Sequence, residues 1–208
     1  MTANSTTSSP TASPAADKTT DTASVTTTVD ILRHGACTDG DILRGRTDSA
    51  LSTTGRRQMT NTLKNLSGWQ RVITSPLQRC RSFAEGFSEN RAEGFSENQA
   101  TQHPLPLSIK PDWREVDFGI WDGQRYDHIY AHHAADLDRY YREPGSFTPA
   151  GGEPLPVAHQ RICRAWNQLL AEYRGEHLLL ICHGGVMRLL FAALQNAPLT
   201  ATHFFDIP

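Results

Sequence analysis

The chain has 208 residues, with 20 Lys and Arg against 22 Asp and Glu, for a formal net charge of −2. That is enough chain for one domain with a sizeable core, and the near-neutral balance argues against a general nucleic-acid or membrane-surface binder. No apolar run approaches the ~20 residues of a membrane span; four scattered cysteines, Cys37, Cys80, Cys163 and Cys182, with no C-x-x-C pair, suggest reduced thiols in a cytoplasmic protein rather than a disulfide framework or a zinc site.

Residues 1–28 are rich in Thr, Ser, Ala and Pro and are expected to form a disordered tail, because such a segment buries too little to offset the entropy of ordering. The domain is then expected to span 29–208. Val29, Ile31 and Leu32 form a short apolar run that ends in Arg33-His34-Gly35. It reads as a buried strand delivering a histidine to its C-terminal edge, where open α/β sheets present reacting groups, with Gly35 letting the backbone turn away. After a turn-rich loop, Arg44-Gly45-Arg46-Thr47-Asp48 puts two guanidiniums near the strand end, either forked onto an anionic substrate or forming a solvated basic loop. Ser52 reads as an N-cap for a helix from about Thr53, with Met59, Leu63 and Leu66 on one face and Gly68-Trp69 ending it.

Arg71 to Thr74 predicts a second strand. Ser75 then reads as a cap and Pro76 as a first helical residue, with Leu77, Cys80, Phe83, Ala84 and Phe87 at helical spacing. Arg79 falls in the first turn, at the positive end of the helix dipole, where a structural cation is disfavoured; an arginine there makes sense facing an anion. The heptapeptide AEGFSEN occurs at Ala84–Asn90 and again at Ala92–Asn98. Its period of eight residues is too short for a solenoid, so it is expected to extend or bulge the helix end without catalytic meaning.

Leu107 to Pro111 predicts a short strand. Trp113 to Gly123 is aromatic and glycine-rich, with Glu115 among apolar neighbours. A carboxyl so placed resists ionisation and suits a general acid; the alternative is a surface glutamate beside a hydrophobic anchor. Tyr126 to Arg142 predicts one helix, whose His128, His132 and His133 read as an exposed polar face. Pro144 to Glu153 predicts a long loop, a candidate lid. The next helix, from about Leu155 to Tyr173, is expected to bury Val157, Ile162, Trp166 and Leu169-Leu170. Leu178 to Cys182 is apolar throughout, as a central parallel strand should be, and ends in His183-Gly184-Gly185 with a helix directly after it. Two strands that end in histidine-glycine are hard to explain by packing. Thr202 to Ile207 resembles a final strand.

Together these stretches resemble the histidine phosphatase superfamily, the phosphoglycerate mutase-like fold. The resemblance runs from about Val29 to the C-terminus through Leu32-Arg33-His34-Gly35, Ser75 to Arg79, Glu115 to Gly123 and His183-Gly184-Gly185. Within the superfamily the chain looks like the α-ribazole phosphatases of cobalamin biosynthesis, through Leu43 to Asp48, Phe147 to Pro154 and His183 to Leu190. The resemblance implies a three-layer α/β/α fold with a mostly parallel central sheet. It implies hydrolysis of a small-molecule phosphomonoester, with His34 as nucleophile, Arg33, Arg79 and His183 around the phosphoryl group and Glu115 as acid. Arg44, Arg46, Cys37 and Gly184 are candidate substrate contacts. No metal and no cofactor are expected, the arginines supplying positive charge. Two departures stand out: family members often carry an acidic residue and a threonine where this chain has Ala36 and Cys37, and the resemblance leads one to expect a few more residues in the terminal strand. A phosphoglycerate mutase, a broad sugar-phosphate phosphatase and a silent phosphate-binding regulator are the competing readings.

Overall fold

The computed structural model describes residues 25–89 and 104–207; the second heptapeptide and most of the N-terminal tail lie outside them. Among the described residues four parallel strands make the sheet: β1 (Thr28–Arg33), β2 (Arg71–Thr74), β3 (Leu107–Ile109) and β4 (His177–Cys182), in the order β1-β4-β2-β3. The buried run Leu178 to Cys182 thus takes a central place between β1 and β2. Its side chains alternate between two cores, as a strand's must. Leu178, Leu180 and Cys182 join Ile73, Ile162, Leu169, Val186 and Leu190 on one face. Leu179 and Ile181 join Met59, Leu63, Val72, Phe83 and Phe87 on the other. Helices therefore cover both faces: α1 (Thr53–Leu63) and α2 (Gln78–Ser88) on one, α5 (Leu155–Glu172) and α6 (Gly184–Leu194) on the other. This is the expected three-layer α/β/α arrangement. No described helix is long and apolar enough to cross a membrane.

Several local expectations need correction. Ser52 does cap α1, its Oγ accepting from the Gly55 N–H at 3.0 Å, but that helix stops at Leu63 and leaves Leu66 exposed. Helix α2 begins at Gln78 with no side-chain cap. Ser75 cannot cap it, because its hydroxyl is engaged by the His183 ring at 2.7 Å and by the Leu77 N–H at 3.3 Å. The single helix expected over Tyr126 to Arg142 is two, α3 (Tyr126–His132) and α4 (Ala134–Arg142), broken at His133. Ile129 and Leu137 both pack on Trp121. Eight residues of continuous helix would place them ~80° apart, and the break returns both to one face. Their neighbours His128 and His132 are exposed and stack at 4.1 Å.

In α5 the buried positions are Leu155, Ala158, Arg161, Ile162, Ala165 and Leu169, while Trp166 and Leu170 are half-buried and Val157 is exposed. The C-terminal stretch is not a strand. A 3-10 helix (Leu199–Phe204) leads into an extended end, whose carbonyls accept from arginines rather than from a neighbouring strand: Phe205 O from Arg188 and Ile207 O from Arg33. Residues 144–153 do not close over a site as a lid; they pack on the segment after Glu115, with Ile120 N–H donating to Ala150 O and Glu153 N–H to Asp117 O.

The turn after β1 is held by a close backbone crossing. A Cβ on Gly55 would lie 2.1 Å from Ala36 O, and one on Gly35 would lie 2.3 Å from Gly55 O. Neither contact is relieved by a rotamer change. Gly55→Ala is therefore expected to destabilise the fold by about 2–3 kcal/mol, at the upper end of overpacking costs, read as a lower urea midpoint at unchanged slope.

Candidate active site

The register of the sheet brings the two histidines together. Arg33 pairs with Cys182 across β1 and β4, and the His34 N–H extends that ladder to Cys182 O at 3.1 Å. His34 and His183 are the next residues on adjacent parallel strands, so both emerge at the same level of the C-terminal edge. Their rings meet edge-to-face with centroids 5.3 Å apart.

His34 is partly buried and lines a cavity of about 330 Å³, within the usual range for small-molecule sites. Its Nδ1 lies 2.9 Å from Gly35 O. A carbonyl only accepts, so Nδ1 carries the hydrogen and Nε2 keeps its lone pair. Burial, with the charges of Arg79, Arg33 and Arg44, lowers the ring's pKa to about 4 against the hydrogen bond that it donates to Gly35 O. The imidazole is neutral at pH 7.

His183 caps α6 and is fully buried. Burial first, and then Arg79 and the neighbouring His34, hold its pKa well below the ordinary value. Arg79 is also fully buried. Its guanidinium donates to Thr47 O at 2.8 Å and Gly45 O at 3.0 Å, so it pins the 44–47 loop beneath the site rather than opening into the cavity. Inward-turned carbonyls of that loop take donors that the sequence assigned to an anion, and the Arg79 Nε has no partner among the described residues.

Glu115 reaches the cavity wall and is 7% exposed. Its Oε1 accepts from Val116 N–H at 2.9 Å and Val186 N–H at 3.2 Å, and its Oε2 from Gly185 N–H at 3.0 Å. The carboxyl thus sits on the N-terminus of α6. Burial raises its pKa, while those amides and Arg79 oppose the rise. Gly185 is needed for this approach, since a Cβ there would meet Oε1 at 2.5 Å. The segment carrying Glu115 is fixed from outside by Arg161, which pairs with Glu153 at 2.7 Å and donates to Asp112 O and Arg114 O.

The four candidate substrate contacts separate. Arg44 and Gly184 line the cavity. Arg44 is held there by Asp39 at 2.7 Å and by donation to the Ile42 and Gly40 carbonyls. Arg46 is exposed and faces Asp117 at 3.5 Å, outside the cavity; the Asp122 carboxylate accepts from the 46 and 47 amides and sets the loop so that residue 44 points in and 46 out. Cys37 lies beside the nucleophile candidate, its Sγ 3.9 Å from His34 Nδ1, with burial pushing its thiol up. The sequence reading missed the rest of the wall. Tyr126, Tyr140 and Tyr141 come from α3 and α4, His203 from the C-terminal 3-10 helix, and Arg188 from the second turn of α6. Arg188 alone had a signal, its place one helical turn beyond Gly184. Among the described residues no group of three or more His, Cys, Asp or Glu stands where it could hold a metal ion.

Sheet, register and paired imidazoles define a three-layer α/β protein with a histidine-centred site at the strand ends. The chain belongs to the histidine phosphatase superfamily (branch 1), whose family model matches residues 29–208. Among its relatives, it is 25% identical over 182 residues to the adenosylcobalamin/alpha-ribazole phosphatase of Escherichia coli, covering 85% of this chain and 83% of that one. It is 27% identical over 183 residues to the glucosyl-3-phosphoglycerate phosphatase of Mycolicibacterium vanbaalenii, covering 81% and 74%. It spans 45% of the length of longer mycobacterial relatives at 27% identity, covering 82% of itself. The solved structure of YhfR from Bacillus stearothermophilus superposes with a TM-score of 0.72 at 24% identity, over 88% of this chain and 86% of that one, which bears on the fold alone.

Proposed function

We propose that the chain hydrolyses phosphomonoesters through a phosphohistidine on His34, with α-ribazole 5′-phosphate or the completed cobalamin phosphate as substrate. The observation that carries the reading is the state of His34: a neutral ring, its Nδ1–H turned to Gly35 O, on the wall of a cavity that also holds Arg33, Arg44 and Glu115. In the first displacement His34 Nε2 forms a bond to phosphorus as the ester P–O bond breaks. Arg33 and Arg44 stabilise the charge spread over the phosphoryl oxygens. The leaving alkoxide is strongly basic and takes the Glu115 proton, which burial helps retain and a bound phosphate dianion would retain further. In the second displacement water attacks the phosphohistidine and gives its proton to Glu115, restoring both groups. His183 and Arg79 act from behind. The Arg79 charge helps keep the His34 ring neutral and its guanidinium holds the 44–47 loop, while the His183 ring packs edge-to-face against His34. No step calls for a metal ion, because guanidinium groups supply the positive charge.

The nucleotide-loop substrate is favoured by the likeness to the E. coli enzyme, and the glucosyl-3-phosphoglycerate phosphatase likeness keeps sugar phosphates in view. The test is kcat/KM in EDTA across α-ribazole 5′-phosphate, phosphoglycerates, sugar phosphates and phosphoserine. At least a tenfold preference for α-ribazole 5′-phosphate is expected. Phosphate transfer to glycerate acceptors in place of water would favour a mutase, and no turnover even of an aryl phosphate would favour a silent binder.

The pH profile follows from the same state. Because the ring's pKa is lowered to about 4, His34 is protonated only below that value. In kcat/KM for phenyl phosphate, corrected for the substrate's own ionisation near about 6, the acid limb is expected near pH 4 rather than at the ordinary histidine value of about 6.5. The alkaline limb belongs to Glu115, which must be protonated for the first step. An acid limb that stays at the ordinary value would remove the neutral-nucleophile reading.

A further inference from the structure

We infer that Arg161 is a positioning residue for proton transfer: it holds the backbone from which Glu115 hangs, so that the carboxyl meets the leaving oxygen. This deepens the phosphatase reading and rests on it. Arg161 stands in the second turn of α5 and is 3% exposed. Its Nε donates to Glu153 Oε1 at 2.9 Å and its Nη2 to Glu153 Oε2 at 2.7 Å, a two-pronged pair with a fixed plane. Its Nη1 donates to Asp112 O at 2.6 Å and to Arg114 O at 3.0 Å. Both carbonyls lie just before Glu115. Glu153 completes the hold from the other side, because its own N–H donates to Asp117 O at 2.8 Å. The ion pair thus grips the chain on both flanks of Glu115, while the first amides of α6 hold the carboxyl itself.

Packing alone does not account for this arrangement. Trp113 and Val116 already anchor the segment in the core, each 1% exposed. Apolar burial sets depth but has no direction, whereas a guanidinium fork with two carbonyls in fixed places also sets rotation and slide. Stability is not a sufficient reason either, since apolar side chains of similar volume often stabilise a fold as well as a buried ion pair does. The surroundings leave little slack. A Cβ on Gly119 would lie 2.2 Å from Ala150 O, and one on Gly152 would lie 2.8 Å from Asp117 O, so the segment after Glu115 and the loop that carries Glu153 meet backbone to backbone. Proton transfer needs the acid within about 2.6–3.2 Å of the atom it serves, and a misplacement of about 1 Å can cost about 10²-fold. Arg33 and Arg44 are held elsewhere, by Ile207 O and by Asp39. The grip of Arg161 therefore bears on the acid and not on the groups that face the phosphoryl oxygens.

The test uses the full chain and kcat/KM for glycerol 3-phosphate and p-nitrophenyl phosphate, which reports the first displacement and not the water step common to both esters. Arg161→Lys keeps the charge that faces Glu153 and that helps lower the His183 pKa, but an ammonium cannot serve a carboxylate fork and two carbonyls at once. On glycerol 3-phosphate, whose leaving alkoxide needs the Glu115 proton, the loss is expected to be about 10–100-fold. On p-nitrophenyl phosphate it should stay within about threefold. In the Glu115→Gln background Arg161→Lys should add less than about threefold on glycerol 3-phosphate, because two changes that act through one group do not multiply. If the lysine variant melts early, Glu153→Asp takes its place; it keeps both charges and shortens the fork by one methylene, and the same selective loss is expected. Equal losses on both esters, no loss on glycerol 3-phosphate, or losses that multiply in the double variant overturn the inference and leave the phosphatase reading standing. Wild-type turnover of p-nitrophenyl phosphate alone also overturns it, since no acid is then at work. A wild-type chain that turns over neither ester sinks the phosphatase reading and the inference with it.

Discussion

His34→Ala is expected to lower kcat/KM for every phosphomonoester by about 10⁴-fold or more, the scale seen when a covalent nucleophile is removed, and to abolish the acid-labile phosphoenzyme trapped by rapid quench. Nothing beside it is fit to take over. His183 is fully buried and engaged with Ser75 at 2.7 Å, and the neighbouring Cys37 thiol is pushed up by burial, so it carries little thiolate. The thermal midpoint should move by only a few degrees, because the His34 ring lines a cavity and no core cluster includes it. A variant that still accumulates acid-labile phosphate would assign the covalent step to another group.

Glu115→Gln separates the acid role from a packing role. The amide oxygen can still accept from the Val116 and Val186 N–H groups, while the amide NH2 takes the place of the Gly185 acceptor and has no proton to give at neutral pH. For alkyl phosphates, whose leaving alkoxides are strongly basic, kcat/KM should fall by about 10²–10⁴-fold, the usual worth of general acid catalysis. For p-nitrophenyl phosphate, whose leaving group needs no proton, the loss should stay within about tenfold. Equal losses on both esters would remove Glu115 from proton transfer and leave it as a cap for α6.

The same carboxyl illustrates how far local sequence reasoning reaches. Its apolar neighbours left two readings open, a buried acid and a surface glutamate beside a hydrophobic anchor, and Glu115 is buried. What holds it there was not legible. The three amides come from its own segment and from the start of α6, about 70 residues away, and the approach depends on Gly185 having no side chain. Arg79 shows the opposite case. Its odd place in the first turn of a helix pointed to an anion, yet its donors went to carbonyls of the 44–47 loop. A backbone turned inward by tertiary packing leaves no trace in side-chain patterns.

Periodicity did well where burial is continuous or strictly alternating. The run Leu178 to Cys182 is the central strand, and Met59 and Leu63 mark the inner face of α1. It failed where one pattern suits two structures. Tyr126 to Arg142 reads as one helix although it breaks at His133, and Thr202 to Ile207 resembles a strand although its carbonyls turn to arginines.

By itself the amino-acid order determined the four strands and the two histidine-glycine strand ends, because apolar runs and glycine turns are local properties of a chain; the layers followed from the family resemblance. Tertiary structure decided which of the marked residues reach the cavity. The register of β1 on β4 sets His34 against His183, while helix packing and the C-terminal segment bring in Arg188, Tyr126 and Tyr141. Those contacts join residues from distant parts of the chain, and their geometry is fixed only when the cores on both faces of the sheet close.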